Sequence, residues 1–116
     1  MREFKISIFE HISSNAAVST EDGEILFEKI HNAFENELKV VLDFQNIELL
    51  TSTFLNASIG QLYSKYSVDF IREHLEIANM EDEDKALLEL VIERAKEYFK
   101  KKENVDEAVK KIIEDE

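Results

Sequence analysis

The chain has no cysteine, no proline and no tryptophan, and only two glycines among its 116 residues. The missing cysteine excludes disulfides, thiol catalysis and thiolate-ligated zinc. With the two glycines at positions 23 and 60, far apart, no Gly-x-Gly-x-x-Gly, phosphate loop or Gly-x-Ser-x-Gly can be written, and no proline- or glycine-rich linker divides the chain. Basic side chains are also few. The 14 Lys and Arg against 26 Asp and Glu leave a net charge of −12, shared as −6 on each side of the Ser58–Ile59 junction. Neither half offers the cationic surface on which nucleic-acid binding rests, and an anionic membrane surface is disfavoured for the same reason. No apolar run approaches the ~20 residues that a bilayer crossing requires. The first ten residues carry Arg2, Glu3, Lys5 and Glu10 where a signal peptide would be apolar. The expectation is a soluble, cytoplasmic protein with no nucleic-acid and no membrane partner.

What is present suffices for one domain. Hydrophobic residues make up 44% of the chain, close to the ~45–50% of globular proteins, so a core can form. Phe4, Ile6 and Ile8 alternate with Lys5, Ser7 and Phe9, which predicts a strand over about residues 3–10, extending toward Ile12. Residues 13–19 read as a connection, with room for a short second strand near Val18. Thr20 reads as the N-cap of a helix over about 21–36, with Glu21 and Asp22 at its positive end. Ile25, Leu26, Phe27, Ile30, Ala33 and Phe34 form its apolar face, and Gly23 in its first turn permits close packing. Lys39 to Phe44 is a short run bounded by polar residues, as a central strand buried on both faces reads. Thr51 or Ser52 then caps a second helix, with Phe54, Leu55, Ile59, Leu62, Tyr63 and Tyr66 at spacings of three and four. A third strand is expected at Leu75–Met80. Asn79 caps a helix opened by Glu81–Asp84 and closed by Lys100–Lys102, and Asn104 caps a final short helix with Val105, Ala108, Val109, Ile112 and Ile113 on one face. Strands alternating with helices imply an α/β sheet covered by helices.

Charge patterning singles out one segment. The 16 residues from Leu49 to Ser64 carry no charge in a chain of which 34% is charged. A window that long should be charge-free roughly once in a thousand starts. It spans the exit from the central strand and most of the next helix, where α/β proteins place ligand and modification sites.

These residues resemble a known family. Val41-Leu42-Asp43-Phe44, then Thr51-Ser52-Thr53-Phe54, then Ile59-Gly60-Gln61-Leu62 look like the STAS-like domains of unknown function. There an aliphatic-Asp-Phe strand precedes a Ser-rich turn, a Phe and a Gly-x-Leu. Thr20 to Glu24 and Leu75 to Asn79 agree more weakly, and the resemblance covers roughly residues 3–99. It implies a STAS-like mixed sheet of about four strands over residues 1–102, covered by helices. Residues 103–116 form an extra helical extension packed on the domain or on a partner. The family is similar in turn to the anti-anti-sigma factor antagonists. These bind an ATP-binding, histidine-kinase-like regulator and are switched off by phosphorylation of a Ser or Thr at the start of the helix after the central strand. On this sequence the acceptor position falls at Thr53, with Ser52 beside it. The antagonists carry an aspartate before that pair and a glycine after it, where this chain has Thr51 and Phe54.

The resemblance therefore implies a non-enzymatic interaction module without a cofactor, meeting its protein partner through Thr51, Phe54, Asn56, Gly60, Tyr63 and Tyr66. Ser52 and Thr53 also have a simpler reading as an N-cap and a first-turn residue. Asp43, an acid inside an apolar strand, needs a partner or an exposed end. It either accepts hydrogen bonds from loop amides and orients the loop, or binds a cation. Gly60, mid-helix, lets the helix approach the sheet or a partner. His11, His31 and His74 lie on three elements without metal-ligand spacing, and Glu81–Asp84 lacks the spaced ligands and glycine of a calcium loop. A hydrolase would need a base beside Thr51–Thr53, and no histidine lies near them in sequence. The alternative to a regulatory module is self-assembly, a homodimer formed through the amphipathic C-terminal helices.

Overall fold

The structure is a computed structural model that describes the backbone of residues 1–114 and the side chains of residues 1–102. Five strands and five α-helices follow in the order β1 (Glu3–Ser7), α1 (Ile8–Ile12), β2 (Ala16–Ala17), α2 (Thr20–Glu35), β3 (Lys39–Asp43), β4 (Leu49–Leu50), α3 (Ser52–Leu55), α4 (Val68–His74), β5 (Leu75–Ala78) and α5 (Asp82–Glu114). A π-helical turn, Asn56–Gly60, continues α3. The expected single mixed sheet of about four strands is instead two parallel sheets. One has the order β1-β3-β5; the other is a two-residue ladder of β2 and β4.

Parallel register decides which side chains share a face. Phe4, Val40 and Leu75 lie level, as do Ile6, Leu42 and Ile77, and these point into one cluster with Leu26, Ile30, Phe34, Phe54, Leu55, Ile59 and Val91 from the helices. The opposite face presents Lys5, Val41 and Glu76 at one level and Glu3 and Lys39 at another. Lys39 bridges Glu3 at 3.8 Å and Glu76 at 3.6 Å. Such side chains cover apolar surface with their stems while their heads stay wet, and Val41 between them is only 7% exposed. As expected of a central strand, β3 is buried on both faces from Val40 to Asp43.

Several boundaries differ from the sequence reading for local reasons. The first strand stops at Ser7 because the Ser7 hydroxyl accepts from the Glu10 amide at 3.2 Å and starts α1, which ends on Ser13 in the left-handed conformation. Serine followed three residues later by glutamate is a capping signature that the alternation of Phe4, Ile6 and Ile8 conceals. Ser19, not Thr20, caps α2, accepting from the Asp22 amide at 3.1 Å. Helix α4, capped by Ser67 through the Phe70 amide, occupies residues to which the periodicity assigned no element. Helix α5 runs for 33 residues without the break expected at Lys102–Asn104. Nothing there forces one, since the segment holds neither proline nor glycine and Asn costs a helix little. The apolar face expected at Val105, Ala108, Val109, Ile112 and Ile113, and the packing of 103–116, lie outside the described side chains.

Gly23 sets the distance between α2 and the α3 segment. A Cβ built on it would lie 2.7 Å from both the Ala57 Cβ and the Phe54 carbonyl oxygen. Among the described residues no helix is long and apolar enough to cross a membrane.

Candidate functional site

The exit of the central strand is organised by one carboxylate. Asp43 ends β3 and is 7% exposed. Its Oδ1 accepts from the Asn79 side-chain amide at 2.8 Å and from the Gln45 backbone amide at 3.0 Å, while its Oδ2 faces the Lys5 ammonium at 3.6 Å. The Asn79 hydrogen bond, then the Gln45 amide and Lys5, hold the carboxyl below its ordinary range against the opposing effect of burial. Asn79 is therefore not the cap of the following helix. It adopts a left-handed conformation at φ 57° and ties the end of β5 to the end of β3. Asn46, at φ 69°, turns the loop that Asp43 holds.

That loop delivers Thr51, whose hydroxyl serves two elements. It accepts from the Phe54 amide at 3.2 Å, capping α3, and donates to the Val18 carbonyl at 3.0 Å. Thr51 is thus the cap, and Ser52 and Thr53 are the first two helical residues. Ser52 is half-buried and Thr53 exposed. Phe54 and Gly60, expected at a partner surface, are both buried, although Gly60 lines a groove beside α5. Phe54 is fully buried in the core. A Cβ on Gly60 would meet its nearest neighbours at 3.6 Å, an ordinary contact, so close approach does not require that glycine.

Tyr66 is also committed internally. Its hydroxyl donates to Glu35 Oε1 at 2.7 Å. With that single proton used, the 2.6 Å contact to His31 must be a hydrogen bond donated by the ring Nδ1–H. Burial, then the Glu35 carboxylate, push the phenol up to about 12. Tyr66 clasps α2 to the turn before α4 and stacks on Phe70 with ring centres 5.0 Å apart. Tyr63 is half-buried, with the Lys96 ammonium 5.9 Å from its ring centre. Among the described residues no group of His, Cys, Asp or Glu is arranged to hold a metal ion. His31 and His74 stack instead on Phe27 and Phe70.

The charge-free segment has a groove on each side. The larger, about 710 Å³ and open to solvent, runs between α2 and the α3 segment. Glu21, Glu24 and Glu28 line one wall and Thr53, Asn56 and Gln61 the other, with Ile25 between. The smaller, about 440 Å³, lies between the π-helical turn and α5, where Asn56, Gly60 and Gln61 face Arg94, Tyr98, Phe99 and Lys102. Asn56 and Gln61 thus line both. The sequence reading confined the surface to residues 51–66 and missed both outer walls. Ile25, assigned to the apolar face of α2, is 53% exposed, and Tyr98, assigned to that of α5, is 61% exposed. The spacing of Glu21, Glu24 and Glu28 at i, i+3 and i+7 was the available signal, since it places three carboxylates on one helix stripe.

One family profile matches the chain, described as a STAS-like domain of unknown function (DUF4325), over residues 22–85. The match takes in α2, the Asp43 exit, the Thr51 cap and β5, but neither β1 nor most of α5. No curated protein and no solved structure matches the chain.

Proposed function

The chain belongs to the family of STAS-like domains of unknown function, and from that premise we propose that it is a non-enzymatic, cytoplasmic protein-interaction module acting as a regulatory antagonist. Its partner is an ATP-binding, histidine-kinase-like protein docked on the surface around residues 51–61, and phosphorylation of Thr53 releases it. One observation carries the reading: Thr53 is exposed on the rim of an open groove within a segment that bears no charge. A phosphate there would add about −1.5 to −2 of charge to a surface whose opposite wall already holds three carboxylates. The neighbouring hydroxyls support Thr53 over its rivals, because Thr51 is occupied as the cap and Ser52 is half-buried. The non-enzymatic reading is supported by Asp43, whose carboxylate is engaged by Asn79, Gln45 and Lys5 and not by a nucleophile.

The test is capture from the native host's lysate, read by mass spectrometry. Wild type is expected to retain an ATP-binding kinase-like protein and Thr53→Glu to lose it. Equal retention by both would remove the switch; retention of no such protein by either would remove the partner. A second reading, self-assembly through the C-terminal helices, is favoured by the uninterrupted course of α5 to Glu114. It requires that a dimer seen by light scattering loosen when residues 104–116 are deleted.

A further inference from the structure

The two grooves carry opposite charge. From Thr20 to Glu28 the chain has four carboxylates and no cation, and Glu21, Glu24 and Glu28 line the α2 groove. From Arg94 to Lys102 it has five cations against Glu97 alone, and Arg94 and Lys102 line the α5 groove. In a chain of net charge −12, that cationic band stands apart from its surroundings. Both stripes are of similar length, about 10 Å for Glu21 to Glu28 and about 12 Å for Arg94 to Lys102 at the helical rise. Each has one exposed large side chain inside it, Ile25 at 53% and Tyr98 at 61%. Between them lies the uncharged strip of Asn56 and Gln61 that both grooves share. Among the described residues, none of Glu21, Glu24, Glu28 and Arg94 makes an ion pair within the chain.

We propose that this face, acidic on one flank, basic on the other and uncharged along its middle, is the contact surface of a two-fold dimer of the chain. The proposal rests on the reading of this surface as an interaction surface and names one occupant for it, a second copy. A symmetric contact must be complementary to itself. With the two-fold axis lying in the contact plane along the Asn56–Gln61 strip, left and right exchange between copies. The α2 carboxylates of each copy then face the Arg94–Lys102 stripe of the other, and Ile25 is carried toward the partner's Tyr98. An axis across the strip would set acid on acid, so charge selects one orientation. The apolar residues supply burial and the stripes supply register and association rate.

The experiment is sedimentation velocity with light scattering on the full chain, over a concentration series, at low and high salt. Four proteins are compared: wild type, Glu24→Arg, Arg94→Glu, and the double variant carrying both. All the substituted positions are exposed, and circular dichroism checks that each variant is folded. Wild type is expected to dimerise, more weakly at high salt because the stripes are screened. Each single reversal acts twice in a two-fold contact and should raise the dissociation constant at least about tenfold. The double variant restores opposite charge across the contact and should recover most of that loss. A wild type that stays at the mass of one chain, 13.5 kDa, overturns the proposal. So does a dimer indifferent to both reversals, or one that the double variant fails to rescue. Both contacts use the Asn56–Gln61 strip, so the copies must separate before a kinase-like partner docks. A wild type that stays monomeric leaves its capture of that partner over Thr53→Glu untouched, and absence of capture leaves the dimer untouched, so the two failures are distinguishable.

Discussion

At the scale of single residues, two glycines of similar helical setting have opposite roles. Gly23 faces the Ala57 Cβ and the Phe54 carbonyl at a distance, 2.7 Å, that no Cβ can occupy without moving backbone. Overpacking of this kind costs about 1–3 kcal/mol, which exceeds the ~0.5–1 kcal/mol that alanine gains over glycine in a helix. Gly60 has room for a Cβ at ordinary contact distance, so there the helical preference is unopposed. Gly23→Ala is expected to lower the urea midpoint and Gly60→Ala to leave it unchanged or raise it, by up to about 1 kcal/mol. If the two variants shift stability in the same direction, the close approach of α2 to the α3 segment is not what Gly23 provides. Thr51 shows how a single hydroxyl serves two elements, as acceptor for the Phe54 amide and donor to the Val18 carbonyl.

At the scale of elements, the central strand was readable because its signal is local and redundant: two adjacent valines, a leucine and polar bounds. The span of α2 and the approach of Gly23 were readable for the same reason. The end of β1 was not. Ile6 and Ile8 are both buried, at 3% and 0% exposure, yet one sits in a strand and the other in a helix. Alternation over five residues fits either, and the Ser7 cap decides. The α2 cap was placed one residue late, at Thr20 instead of Ser19, and the α3 cap was left open between Thr51 and Ser52, because Ser and Thr stand side by side at both and only tertiary contacts choose. At Thr51 that contact is the β2–β4 ladder, formed by residues about thirty apart. The candidate surface was legible as a charge-free segment and no further. Its walls come from α2 and α5, and side chains as apolar as Ile25 and Tyr98 are assigned to a core by any periodicity argument. Exposure of such residues follows from which helices flank the segment, which no local pattern encodes.

At the scale of the molecule, two effects of pH act in opposite directions and separate by range. The net charge of −12 at pH 7 falls toward zero near the isoelectric point of 4.7, which relieves self-repulsion in the folded chain. At low salt and a fixed, low protein concentration, the urea midpoint should therefore rise as pH drops from 7 toward about 5. Below that, Asp43 takes over. Its carboxyl titrates lower when folded than when unfolded, chiefly through the Asn79 hydrogen bond, then the Gln45 amide and Lys5. A depressed carboxyl contributes stability that is complete above its unfolded value, about 3.9, and is lost as pH falls through the folded value. Asp43→Asn should be less stable than wild type at pH 7, because the Lys5 partner and the charge on the acceptor are gone. The difference should hold from pH 7 to about 4 and close below it as the wild-type carboxyl protonates. Both proteins should share the rise between pH 7 and 5, since that limb belongs to the whole charge distribution and not to Asp43. A gap between the two midpoints that stays constant to pH 2 would mean that Asp43 holds the β3 exit through shape and hydrogen bonding alone, with its ionisation contributing nothing.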